Sequence, residues 1–221
     1  AAAAVRTGCA SISYTYTEPT IFFELAHDTA VQASEKGLKN VFVSNGYITP
    51  EALREIKPVL HAANIDLKAF TDDFYRNICG ARLQPVLDSI QLYKELGIWI
   101  EVTTLVIPGH NDSESELKDI ARFIKSVDEN IPWHVSRFHP TYKLIDSPIT
   151  PARTLKRASD IGFEEGLRYV YEGNIPGEGE ETRCPGCGKG IVKRYGFTVT
   201  ENNIKAGKCG FCGAGIAGVW E

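Results

Sequence analysis

Four of the six cysteines in this 221-residue chain fall in two C-x-x-C pairs, Cys184-Pro-Gly-Cys187 and Cys209-Gly-Phe-Cys212. Each pair presents two thiolates to one ion, and the glycine after each pair eases the backbone out of the turn. Two such knuckles joined by a hairpin give tetrahedral coordination by four cysteines, which suits zinc, with mononuclear iron as the alternative. Ile191–Thr200 supplies the β-branched and aromatic residues that the hairpin needs. Four protein ligands leave no open coordination position, so the expected role of this metal is structural. The spacing reads as a metal pattern, not a secreted disulfide framework, and predicts a reducing, cytoplasmic compartment. Between Arg183 and Lys208 the chain carries six basic residues against one acid, Glu201. A solvated basic face is the ordinary reading, and docking to a partner or to nucleic acid stays open beside it. Cys9 and Cys79 are isolated and read as small buried hydrophobes.

A second set of polar residues has a different regularity. Glu18, Asn45, Asp66, Lys68, His139 and Asn174 each lie at or just past the end of an apolar, β-rich run. The runs are Ala10–Tyr16, Asn40–Ser44, Ala63–Leu67, Ile98–Ile107, Pro132–His139 and Leu167–Tyr171. Segments of helical periodicity separate them, among them Thr20–Glu35, with Ile21, Leu25, Ala26 and Thr29 on one side, and Pro85–Leu96. Thr49-Pro50-Glu51 is an N-cap with proline at the first helical position. Ser113 with Glu116 three residues on is a capping box. Gly37 and Gly97 stand where C-terminal glycines stand. Alternating strands and helices predict a parallel sheet. Polar groups at the C-terminal ends of several different strands favour a β/α barrel over a doubly wound sheet, which gathers them at one switch point. G-x-G-x-x-G occurs only at Gly213–Gly218, inside the ribbon, and no P-loop is present, so dinucleotide and P-loop readings are weak.

The fold class expected is therefore α/β, an incomplete parallel β/α barrel with a small C-terminal four-cysteine ribbon. Residues 1–172 form the barrel, 173–182 a glycine- and glutamate-rich linker, and 183–221 the ribbon. The 24 basic and 28 acidic side chains give a net charge of −4, which argues against a surface wholly devoted to nucleic acid. No run reaches the roughly 18 apolar residues of a membrane span. The opening Ala1-Ala2-Ala3-Ala4 and the lack of any methionine read as a truncated segment with residues upstream, or as an alanine-rich helix end. Tyr14, Tyr16, Phe22 and Phe23 read as core, and His27 and His61 carry no assigned function.

Tyr14-Thr15-Tyr16-Thr17-Glu18-Pro19-Thr20, Ser44-Asn45-Gly46-Tyr47, Asn64-Ile65-Asp66-Leu67-Lys68, Pro108-Gly109-His110-Asn111-Asp112, Pro132-Trp133-His134 and Phe138-His139-Pro140 follow one another in an order and spacing that resembles a known family. The chain resembles the radical S-adenosylmethionine enzymes related to the pyruvate formate-lyase activating enzymes, and within them the AmmeMemoRadiSam-system subgroup. That resemblance implies an incomplete barrel holding S-adenosylmethionine (SAM) against a [4Fe–4S] cluster. It also implies reductive formation of a 5′-deoxyadenosyl radical and abstraction of hydrogen from a substrate.

By the same resemblance, Glu18 lies where the family contacts the methionyl ammonium, and Ser44 and Asn45 where a carboxylate or ribose would bind. Asp66 and Lys68, placed on one face by strand alternation, would serve a ribose hydroxyl or ammonium and a carboxylate. His139 approaches the adenine, and Glu101 and Thr103 line the ribose side. The glycines of the family's Gly-Gly-Glu segment are Tyr16 and Thr17 here, and the C-x-x-x-C-x-x-C cluster loop would precede residue 1. The implied partners are an electron donor such as flavodoxin or ferredoxin and a macromolecular substrate of the glycyl-radical activase kind, with no membrane. Two other readings remain: a barrel lyase using Lys68 as a Schiff-base nucleophile, and a non-catalytic module whose ribbon binds protein or RNA.

Overall fold

The computed structural model describes residues 1–175, 179–196 and 198–220. Six strands, β1 (Ser11–Tyr14), β2 (Lys39–Ser44), β3 (Ala62–Asp66), β4 (Trp99–Val106), β5 (Trp133–Arg137) and β6 (Val170–Gly173), form one parallel sheet. The helices are α1 (Ala2–Arg6), α2 (Phe23–Ser34), α3 (Pro50–Ile56), α4 (Asp72–Phe74), α5 (Gln84–Glu95), α6 (Glu114–Val127) and α7 (Ala152–Glu164), with a π turn at Tyr75–Cys79. The strand order is β1 to β6 without reversal. A doubly wound sheet would change direction at its switch point, so the barrel expectation is the one the structure bears out. Backbone packing divides the chain into two units, residues 1–67 with 75–102 and residues 68–74 with 103–221.

In the first unit Asn40 is the central tie. Its side chain is fully buried and donates to Ala30 O, Ser34 Oγ and Val59 O at 2.9–3.0 Å. Its Oδ1 accepts from the Tyr14 hydroxyl at 2.9 Å, and its backbone N–H donates to His61 Nδ1 at 3.1 Å. Burial and then the Lys39 charge hold the His61 imidazole below its ordinary range, which preserves the lone pair that Asn40 needs. Thr49 caps α3 as expected, accepting from Ala52 N at 3.3 Å.

Helix α2 departs from its sequence reading. It starts at Phe23, because Thr20 is held by Glu18 and Ile21 N bonds Glu18 O in a turn. Its buried face is Ala26, Ala30 and Ala33, small side chains at helical spacing, while Ile21 and Leu25 are 77% and 67% exposed. Tyr16 is also exposed, at 94%, and so is not core. Nor are the isolated cysteines buried: Cys9 is exposed and Cys79, in the π turn, is half-buried.

In the second unit α6 and α7 turn apolar faces inward, with Leu117, Ile120, Ala121 and Ile124 on one and Leu155, Ala158 and Ile161 on the other. Trp133 is buried among them with its indole N–H on Thr104 Oγ1 at 3.0 Å. Ser113 caps α6, accepting from Glu116 N at 3.3 Å, but the capping box is only half formed. The Glu116 carboxylate instead accepts from Phe70 N at 2.8 Å, satisfying a donor that would otherwise lack a partner. Three short strands, β7 (Thr182–Arg183), β8 (Gly190–Tyr195) and β9 (Thr198–Asn202), make an antiparallel sheet, and β10 (Ile204–Lys205) pairs with β11 (Lys208–Cys209). Tyr169, Ile191, Val192 and Ile216 pack with Cys184 and Cys209 in a small core. Residues 176–178 of the expected linker lie outside the described residues.

Two measurements test these ties. Asn40→Ala removes several buried hydrogen bonds at once and should cost about 2–4 kcal/mol in urea unfolding. An unchanged midpoint would show that the amide is dispensable. Glu116 is different: burial raises its carboxyl above the ordinary value, against the lowering effect of the Phe70 N–H. A raised folded value favours the protonated form, so its contribution is present at low pH and lost as pH rises through the carboxylate range. Glu116→Gln keeps an acceptor for Phe70 and cannot ionise. Its stability relative to the parent should therefore rise between acidic and neutral pH, and a flat difference would contradict the assignment.

Candidate functional site

In the first unit, the ends of β1 and β2 meet at Glu18. This carboxylate is buried, 8% exposed, and four donors converge on it. Ser44, the last residue of β2, donates its hydroxyl to Oε1 at 2.7 Å, and Asn45 donates its backbone N–H to Oε2 at 2.8 Å. The Thr20 hydroxyl and N–H reach Oε1 at 3.2 and 3.4 Å. Ser44 Oγ also accepts from Gly46 N, and Asn45 Oδ1 accepts from Tyr47 N at 2.8 Å, so the turn after β2 is locked by its own side chains.

Gly46 is required in that turn. Its φ is +76°, and a Cβ there would lie 2.8 Å from Ile65 Cγ2 and 3.1 Å from Val86 Cγ1. Helix α5 approaches this closely because Ser89 donates to Gly46 O at 2.7 Å. One turn further along the same helix stands Tyr93. Its hydroxyl is buried without a hydrogen-bond partner, and burial first, then the Glu18 charge, push the phenol well above its ordinary range. Ser89 and Tyr93 are four residues apart and thus share a helix face. Sequence reading missed both, since a serine and a tyrosine in a helix carry no distinctive signal.

Asp66 is the last residue of β3 and half-buried, and Glu101 sits on β4, half-buried. The second unit holds the other expected residues. Because β3 ends at Asp66, Lys68 lies off the strand, and alternation does not govern its direction. Its carbonyl accepts from Asn111 Nδ2 at 2.6 Å. Asn111 is fully buried, and it also donates to Leu105 O and accepts from Ile107 N at 2.8 and 2.6 Å. That amide closes the turn after β4. Thr103 lies within β4, half-buried, on the face opposite Val102 and Thr104. His139 follows β5 by two residues and is exposed, as is Asn174 just past β6. Lys68, Thr103 and His139 thus belong to the second unit, Thr103 inside its strand and His139 just past one, while Glu18, Ser44, Asn45 and Asp66 belong to the first.

The ribbon brings its four sulfurs together. All four lie within 4.8 Å of one another, with Cys184 to Cys212 at 3.6 Å and Cys187 to Cys209 at 3.9 Å. A tetrahedron with metal–sulfur bonds of about 2.3 Å has edges of about 3.8 Å, so the cluster fits one tetrahedral ion. Cys209 and Cys212 are pushed in opposite directions. Burial raises Cys209, but the Phe211 and Cys212 backbone N–H groups and the neighbouring thiols bring it down to about 7. Cys212 is lowered by the Ala214 backbone, yet its contact with Cys187 and burial push it up to about 12. A dication removes this conflict by stabilising all four thiolates together.

The family profile of the radical SAM superfamily matches residues 1–124. The chain belongs to that superfamily. Its curated relatives include the uncharacterized protein MJ0808 of Methanocaldococcus jannaschii, 47% identical over 217 residues, covering 96% of this chain and 64% of that protein. A GTP 3′,8-cyclase of Listeria welshimeri is 34% identical over 135 residues, 58% of this chain and 38% of that protein. The chain thus spans 64% and 38% of the lengths of these two relatives. Among solved structures, a domain of a pyruvate-formate lyase-activating enzyme from Bacteroides vulgatus superposes with a TM-score of 0.66 at 17% identity, covering 75% of this chain and 99% of that one. At that identity the likeness is one of fold.

Membership in the radical SAM superfamily implies SAM and a [4Fe–4S] cluster. Holding the cluster takes three thiolates with one iron left open. Among the described residues, the ribbon is the one group of three or more side chains able to hold a metal, and neither Cys9 nor Cys79 belongs to it. The described residues therefore do not fit the cluster. No described helix is long and apolar enough to cross a membrane.

The ribbon makes a direct prediction. Purified protein should carry close to one equivalent of metal, released by mercurial titration of its thiols and scored by elemental analysis. Cys187→Ser should abolish that stoichiometry and lower the thermal midpoint, since Cys184 and Cys209 share a core with Tyr169. Metal-free protein of unchanged midpoint would dismiss a structural ion.

Proposed function

We propose that the protein is a radical SAM enzyme acting on a macromolecular substrate in the cytoplasm, with cluster ligands outside this segment and zinc in the ribbon. The observation that supports the reading best is the Glu18 arrangement, within the stretch that matches the family. A buried carboxylate near the C-terminal ends of two strands would suit a cationic group, and its geometry is set by Ser44, Asn45 and Thr20. Because these donors are supplied by the backbone and short side chains, Glu18 is oriented before any ligand arrives, which limits the cost of ordering it on binding.

Bound at a cluster held by residues outside this segment, SAM would supply the radical chemistry of hydrogen abstraction. The residues of this chain bind and shield. Glu18 would take the methionyl ammonium, and Asp66 a ribose hydroxyl. The carboxylate, ribose and adenine roles of Lys68, Thr103 and His139, residues of the second unit, rest on the family resemblance alone. The closed turn at Ser44-Asn45-Gly46 keeps β2's end rigid under such a ligand. A flavodoxin or ferredoxin would deliver the electron. The activase-like assignment rests on family resemblance and on a fold likeness, and a polypeptide glycine would be its substrate.

The test is anaerobic reconstitution of the full-length protein with iron and sulfide, followed by SAM, dithionite and measurement of 5′-deoxyadenosine. Product is expected, and Glu18→Gln should reduce it at least about tenfold, or about 1.4 kcal/mol, while the fold is retained by circular dichroism. A verified cluster that yields no 5′-deoxyadenosine would end this reading.

A further inference from the structure

We propose that the knuckle end of the ribbon is a docking platform for single-stranded RNA. Three of the ribbon's six cations are internally committed. Arg183 pairs with Glu181 at 2.9 Å and Lys193 with Glu201 at 2.7 Å, while Arg194 donates to Glu180 O and Thr182 Oγ1, both at 3.0 Å. The other three, Lys189, Lys205 and Lys208, are exposed and have no carboxylate partner among the described residues.

Two of these cations are placed at some cost. Lys205 and Lys208 stand directly opposite each other across the β10–β11 pair. Like charges in that register destabilise a hairpin, and no carboxylate among the described residues pairs with either lysine. Two aromatic side chains accompany them. Trp220 packs over Gly207, the turn between the two lysines, where a Cβ would come within 2.7 Å of its ring. Its indole N–H is pinned to Ile216 O at 2.7 Å, yet it remains 43% exposed. Phe211, between Cys209 and Cys212, is 49% exposed, with Lys189 Nζ 4.9 Å from its centroid.

Lysines without carboxylate partners beside half-exposed rings, one of them pinned by its indole N–H, are what a single strand requires. Phosphates meet the cations, and unpaired bases stack on the rings whatever their sequence. A duplex hides its base faces, and single-stranded loops and ends are where RNA offers them. An acidic peptide would use the lysines but not the rings. The platform stands on the ribbon alone and does not depend on the catalytic reading.

The experiment uses full-length, metal-loaded protein and a fluorescein-labelled oligouridine RNA of about 20 nucleotides, long enough to cover one single-strand site, read by anisotropy from about 50 to about 300 mM salt. Binding is expected, with affinity falling linearly on a log–log salt plot. Lys205→Glu/Lys208→Glu should weaken it at least about tenfold and flatten the slope by roughly 1–1.5, since each phosphate contact contributes about 0.7. Trp220→Ala should weaken it about fivefold or more with the slope kept, as loss of one stacked base would. Lys36→Glu, in the first unit, should change nothing.

Absence of binding at the lowest salt overturns the proposal. Equal or tighter binding of duplex RNA or of oligothymidine DNA overturns the choice of single-stranded RNA. A charge-reversal variant that binds RNA normally overturns the role given to the lysines, and one that loses its metal before it loses RNA assigns them to the tetrathiolate. Formation of 5′-deoxyadenosine, measured without RNA on the same preparation, reports separately on the catalytic reading.

Discussion

A carboxylate taken out of water must find its hydrogen bonds inside the protein, and Glu18 imposes that requirement on the first unit's strand ends. Its four donors come from three neighbours, and each is fixed by another demand. Ser44 must end β2 with its hydroxyl inward, Asn45 must offer its N–H and close its own turn, and Thr20 must leave the helical path, delaying the start of α2. Gly46 then has to be glycine, since its positive φ and the approach of α5 leave no room for a Cβ. Ser89 and Tyr93 follow from that approach. The Tyr93 hydroxyl is the one buried side-chain polar atom among the described residues left without a partner, and it sits on the helix face that Ser89 holds against the turn.

Two asparagines do comparable work elsewhere. Asn40 joins β2 to β1, to α2 and to the segment before β3, and Asn111 closes the turn after β4 onto Lys68 O. An amide offers donors and an acceptor on one rigid group, so a single residue can satisfy several loop carbonyls that no regular element covers. Such ties are all-or-none, because a buried partner left unpaired costs more than the bond contributed.

The ribbon obeys a different constraint. Its core is a handful of residues, too few to hold three short strands unaided. Four thiols at the separations of a tetrahedron supply what the apolar core lacks, provided a dication balances them. Lys205 and Lys208 face each other across one short pair with no carboxylate between them, the placement from which an external anion was inferred.

Much of this was legible in the residues themselves. The six strands, the Thr49 cap and the paired cysteine knuckles were readable because each is a local pattern: alternation, capping chemistry, metal spacing. Glu18 and Asn45 were singled out by their positions at strand ends, and Ser44 by the family resemblance. Which way α2 turns was not readable, because Leu25 and Ile21 outweigh alanines on any hydrophobic scale, yet close packing selects the small face. Exposure of Tyr16 and Cys9, the diversion of Glu116 to Phe70, and the roles of Asn40, Asn111, Ser89 and Tyr93 were likewise hidden. Each depends on a partner far along the chain, as much as 46 residues away for Glu116, or on an environment built by several elements. Local sequence determines which elements form and which groups can do chemistry; only the packed chain decides which buried donors and acceptors must find one another, because that demand arises when water is removed.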